Sequence, residues 1–160
     1  MINRMKKVLY ASDMDQGSRP ALQVAVSVTG GHAAEITYLH VLESTHKDNM
    51  VLQSILKDDL MRDMYEKSLK DLKQKLETRI TKFLTDEASE SPLPEDLNVT
   101  SVIAEGTPWK AIVKQGEAMD ADVIVMGTRS HSTLGSVILG STATKVMQNA
   151  GRPVLIVPLD

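Results

Sequence analysis

Apolar residues follow two kinds of pattern along this chain: short continuous runs, and longer stretches in which they return every three or four positions. A continuous run suits a strand covered on both faces, and the wider spacing suits an amphipathic helix. Lys7-Val-Leu-Tyr-Ala-Ser12 is the first run, and the residues from Asp13 to Gly17 after it read as a turn. Ser18 is placed to cap a helix over about 19–29, with Pro20 in its first turn. Ala21, Leu22, Ala25, Val26 and Val28 form its apolar side, and Gly30-Gly31 stops it. Glu35 to Leu42 is rich in β-branched and apolar residues and predicts a second strand.

From about Val51 to Leu84 the apolar positions step by three and four, which predicts a long helix whose first turns fray or form a separate short helix. Met50, Met61 and Met64 fall on or near that stripe, where filling gaps in a core is methionine's default role and a partner surface the alternative. Thr85 to Asp96, with two prolines among small polar residues, predicts a loop. Asn98 to Glu105 is a third strand, Gly106 a turn, and Thr107 the cap of a helix with Pro108 at its first position, carrying Trp109, Ile112, Val113 and Ala118. Ala121 to Met126 is the most apolar strand, a helix over about Ser141 to Asn149 is closed by Gly151, and Pro153 to Val157 is the last strand. Strand and helix alternate, so the fold class is α/β with a parallel sheet, right-handed crossovers and helices on both faces. Ligands of such sheets gather at the carboxyl ends of the strands where strand order reverses, here the loops beginning at Ala11, Leu42, Glu105 and Gly127.

Composition narrows the classes. A chain of 160 residues builds one domain, and with 42% apolar but only 3% aromatic residues its core rests on aliphatic side chains. A net charge of -3 without a basic block disfavours nonspecific nucleic-acid and membrane-surface partners. The absence of cysteine excludes disulfides, thiol nucleophiles and cysteine-based zinc sites, and suits a reducing cytoplasm. The apolar run after the basic start ends by Ala11, too short for a signal peptide or a membrane span.

The candidate chemistry lies in Gly127 to Thr142, between the most apolar strand and the last helix. A glycine at the strand end lets backbone approach a ligand, and Gly140-Ser141-Thr142 offers N–H groups and hydroxyls at a helix start, a cradle for phosphate. On spacing alone, glycines in turns with Ser141 as a plain cap explain the segment as well. The segment also closely resembles the universal stress protein family, whose nucleotide-binding members carry Gly, two residues, Gly, nine residues, Gly, then Ser or Thr. Gly127, Gly140 and Ser141 match with the spacing intact, and Ser130 replaces the second glycine. The resemblance extends to Asp13, Leu39-His40-Val41, Glu105-Gly106-Thr107-Pro108, the strand from Ala121 to Gly127 and Pro153 to Val157, and is weak only between Ser44 and Asp96.

The resemblance implies a Rossmann-like, five-stranded sheet of order 3-2-1-4-5, similar to the adenine nucleotide alpha hydrolases. It implies Ala11 and Asp13 against the adenosine end, Val41 beside adenine, and Met126, Gly127, Arg129, Ser130, Gly140, Ser141 and Thr142 around ribose and phosphates. Asp13 can accept from ribose hydroxyls and Arg129 can approach phosphate, although an aspartate after a strand often only caps a turn. The expected ligand is ATP or AMP, with magnesium only as the nucleotide's companion, regulatory and hydrolysed slowly or not at all. A homodimer through the edge strand 153–157 is also implied. A dimeric interaction module without nucleotide, and a weak ATP hydrolase or self-modifying kinase, are the alternatives.

Other constellations carry less. A receiver-domain acidic pocket needs an Asp ending strand three and a Lys after strand five, where this chain has Ala104-Glu105 and Pro158-Leu159-Asp160. Ser130-His131-Ser132 lacks a nucleophile elbow, and His32, His40, His46 and His131 share no metal-ligand spacing. No catalytic residue and no protein-held metal is expected.

Overall fold

A computed structural model of the chain describes residues 4–12, 19–30, 34–44, 46–90, 92–129 and 139–159. The elements are β1 (Lys7–Ser12), α1 (Arg19–Ser27), β2 (Ala34–Glu43), α2 (His46–Ile55), α3 (Asp59–Glu90), β3 (Leu97–Gly106), α4 (Pro108–Ala118), β4 (Val123–Arg129), α5 (Ser141–Asn149) and β5 (Val154–Leu159). They form one five-stranded sheet of order β3-β2-β1-β4-β5. Every pairing is parallel, with Tyr10 beside Tyr38 and Ala11 beside Met126 across β1.

The alternation of strand side chains divides the core into two layers. On one face Val8, Tyr10, Ile36, Tyr38, Val123 and Val125 pack under Ala21, Leu22 and Ala25 of α1 and Leu76, Ile80 and Phe83 of α3. On the other, Leu9, Leu39, Ile124 and Met126 pack under Ile112 of α4 and Ala143 and Val146 of α5. The fully buried Tyr10 and Tyr38 meet edge to face at 4.9 Å, a favourable use of two of the few aromatic rings.

At the amino end of the sheet polar contacts close the structure. Asp122 Oδ2 accepts from the N–H groups of Lys6 and Lys7 at 2.8 Å each, and Arg152 Nη1 donates to the Ala121 carbonyl at 2.7 Å.

The structure differs from the sequence expectation in two places. The region expected as a loop from Thr85 is helical as far as Glu90, so α3 runs for 32 residues. Charge explains the extension: Arg19 of α1 pairs with Glu87, its Nε donating at 2.9 Å, and lies 3.8 Å from Asp86, which Lys82 approaches at 3.7 Å one turn earlier. Pro92 then lies beyond the last turn and Asp96, at φ 60°, turns the chain into β3. The second difference is the apolar stripe, which is buried only in the later turns of α3. Met50, Met61 and Met64 are exposed, so gap-filling in the core is not their role. The short first helix does separate, as α2. Ser18, expected to cap α1, lies outside the described residues.

This division gives a stability test. Leu76→Ala empties a fully buried site and is expected to cost about 2–5 kcal/mol in urea denaturation, whereas Met64→Ala should change stability by less than about 0.5 kcal/mol.

Candidate functional site

The carboxyl end of the sheet is built differently from the sealed amino end. β4 ends in Gly127, Thr128 and Arg129, and α5 starts nearby with Gly140 as its N-cap, so Ser141 is the first helical residue rather than the cap. The first N–H groups of α5 have no acceptor within the helix and are available to an anion. Gly140 has φ −62° and ψ 157°, which any residue adopts, and a Cβ there would meet nothing within 4 Å. Neither conformation nor packing among the described residues asks for glycine at this position. Gly127 is the opposite case: a Cβ would lie 2.9 Å from Leu159 Cγ and closer still to Cδ1, so glycine lets β5 close against β4.

Across the gap, β1 ends at Ser12, which two side chains of β2 hold. Tyr38 donates its hydroxyl to Ser12 Oγ at 3.0 Å, and His40 Nδ1 lies 3.0 Å from the Ser12 carbonyl. A carbonyl can only accept, so Nδ1 carries the hydrogen. This clamp fixes the point from which the chain leaves β1.

Between these groups lies a cavity of about 480 Å³. Ala11, Val41, Met126, Gly127, Gly140, Ser141 and Thr142, all singled out from sequence, line it together. Asp13 and Ser130 lie outside the described residues, and Arg129 is placed by its backbone as the last residue of β4. Sequence reasoning missed Ser12, His40, Glu43 and Thr128, which also line the cavity. The rule that ligands gather at strand carboxyl ends, applied residue by residue to β1, β2 and β4, points to each of them. Trp109 is half-buried against the α4–α5 side of the core, with Lys110 Nζ 5.6 Å from its ring centre. His40 is a strand residue, as its neighbours imply.

A second cavity of about 380 Å³ opens beyond the end of β2, among Leu42, Glu43, Ser44, α2, Tyr65 and Glu105. Tyr65 donates its hydroxyl to Glu105 and so ties α3 to the end of β3. Burial first, then the hydrogen bond to Glu105 and that residue's charge, push the Tyr65 hydroxyl up from 10.0 to about 12. Ser44 Oγ is buried without a hydrogen-bond partner among the described residues. Among the described residues no group of three His, Cys, Asp or Glu could hold a metal ion, and no helix is long and apolar enough to cross a membrane.

Residues 5–158 match the model of the Universal stress protein family. The chain belongs to that family. A universal stress protein of Thermus aquaticus is 30% identical over 152 residues, covering 95% of this chain and 98% of that one. Universal stress protein MJ0577 of Methanocaldococcus jannaschii is 27% identical over 155 residues, covering 95% and 94% of the two chains. The solved MJ0577 structure superposes with a TM-score of 0.66 at 26% identity over 99% of both chains. The universal stress protein of Archaeoglobus fulgidus solved in complex with dAMP shares the fold, with a TM-score of 0.56 at 16% identity over 98% of this chain and 99% of that one.

For this universal stress protein the Tyr65–Glu105 tie has a pH signature. A raised phenol favours the neutral form in the folded state, so its contribution is complete below pH 10 and is lost as pH rises through about 12. Urea denaturation across that interval should show a smaller loss of stability in Tyr65→Phe than in the unsubstituted protein.

Proposed function

We propose that this universal stress protein acts in a stress response by binding an adenine nucleotide, ATP or AMP, in the cavity at the carboxyl end of the sheet. The observation that carries the reading is Gly140: a glycine demanded neither by its backbone nor by packing among the described residues, at the start of a helix. A larger residue there would occupy room that a phosphate needs, while the N–H groups behind it and the hydroxyls of Ser141 and Thr142 are the donors a phosphate uses. At the other end of the cavity, Ala11, Val41 and Met126 offer an apolar wall of the kind a purine ring packs against. Arg129 and Asp13 belong to the same reading as phosphate and ribose partners, with magnesium arriving on the nucleotide. The Archaeoglobus fulgidus protein supports adenine as the base, since it holds dAMP on the same fold. The nucleotide is a regulatory ligand, hydrolysed slowly or not at all, in a cytoplasmic protein.

Calorimetric titration with ATP and with AMP tests this. At a free concentration about 100-fold above the dissociation constant, nucleotide should add about 2.7 kcal/mol to stability. Gly140→Asp introduces a good N-cap, so its stability should stay within about 0.5 kcal/mol of the unsubstituted protein, while its charge repels phosphate and weakens binding at least about tenfold. Undiminished binding by that variant would remove the site, and no heat with either nucleotide at saturating concentration would remove the reading.

The reading includes an antiparallel homodimer through residues 153–157. β5 pairs with β4 on one side only, and its Leu155 is exposed. An open apolar edge is commonly covered by another chain. Sedimentation equilibrium should show a dimer that Leu155→Arg converts to monomer without loss of helical circular dichroism.

A further inference from the structure

Seven large hydrophobic residues are exposed among the described residues, and five of them, Met50, Val51, Leu60, Met61 and Met64, lie on α2 and the first turns of α3. Scattered exposed hydrophobics are ordinary, but a cluster on one stretch of surface marks a place that another molecule covers. The cluster adjoins the second cavity: Val51, 59% exposed, lines it, and Met61, 47% exposed, stands one helical turn before Tyr65, which also lines it. The floor of that cavity is apolar, from Leu42, Leu52 and Ile55, and its polar groups include the carboxylates of Glu43 and Glu105. Ser44 Oγ, buried and without a hydrogen-bond partner among the described residues, lies at the same place and can accept.

We propose that the face formed by α2, the start of α3 and the acidic cavity docks a basic amphipathic segment of another protein. Its apolar side would rest on the methionines and Val51, and a lysine or arginine would enter the cavity towards Glu105 and Ser44. Methionines adapt to varied partner shapes, and a helix presenting its apolar side to such a surface is a common mode of recognition. Charge complementarity selects this occupant. The carboxylates repel the anionic headgroups of a lipid surface, and a second copy docked isologously would bring the acidic cavities together. The docking does not depend on the nucleotide reading, so the experiment uses the nucleotide-free protein. Glu43, which lines both cavities, is left unaltered.

The probe is a fluorescein-labelled peptide of leucine and lysine in helical register, followed by anisotropy, beside a counterpart with glutamate in place of lysine. Glu105→Gln keeps an acceptor for Tyr65 while removing the charge, and Met61→Asp alters an exposed side chain, so circular dichroism should match the unsubstituted protein in both. The Leu/Lys peptide should bind, each substitution should weaken it about tenfold, and the Leu/Glu peptide should not bind. Equal binding of both peptides overturns the proposal, as does an affinity unchanged by both substitutions or the absence of binding. Self-association abolished by Met61→Asp would assign the face to a second copy, and binding to phosphatidylserine vesicles abolished by it would assign the face to a membrane. Either outcome overturns the proposal.

Discussion

β1 stands with β2 on one side and β4 on the other, and the remaining architecture depends on that position. Right-handed crossovers that step across the sheet in opposite directions, from β1 to β2 to β3 and then from β3 back to β4 and on to β5, must place their helices on opposite faces. α1 and α3 accordingly cover the Tyr10 and Tyr38 side, while α4 and α5 cover the Leu9 and Ile124 side. Because successive connections part at this point, no helix among the described residues closes the space above the ends of β1 and β4. The cavity is thus a product of strand order before it is a product of any particular side chain.

The two ends of the same strands serve different purposes. At the amino end Asp122 and Arg152 satisfy backbone groups of neighbouring segments and hold β1, β4 and the turn before β5 together. At the carboxyl end, the clamp of Tyr38 and His40 on Ser12 orders the rim, while Gly140 leaves room. The polar contacts that close the amino end therefore come from residues outside the cavity wall, whereas core residues such as Leu39, Ile112 and Met126 line the cavity itself. β2 also connects the two cavities, because Glu43 at its end belongs to the walls of both.

Strand positions were legible in the sequence because both faces of each central strand are buried, which leaves little choice but apolar residues in continuous runs; the strand order followed from the family resemblance. Gly127, Gly140, Ser141 and Thr142 were legible as well, since glycines and a helix start after a buried strand are local signals, while Ala11, Val41 and Met126 followed from the family resemblance. The full length of α3 was not. Thr85 to Glu90 has the composition of a loop, and what keeps it helical is Arg19, far away in sequence, reaching Glu87 and Asp86. The methionines misled for a related reason: helical spacing reveals that a stripe exists, not whether anything within the chain covers it. Ser12, His40, Glu43 and Thr128 gave no motif of their own, and only the meeting of β1, β2 and β4 makes them neighbours.

The scarcity of aromatic residues has an optical consequence. The three tyrosines divide between the sheet interior and the α3 tie, and the single tryptophan, Trp109, stands on α4 between the cavity-lining residues Pro108 and Ile112. Emission excited selectively from indole therefore originates from one address, half-buried beside the cavity and next to the Lys110 ammonium. Its wavelength and intensity report on the polarity and order of that wall alone, without an attached dye and without a competing signal from the rest of the molecule.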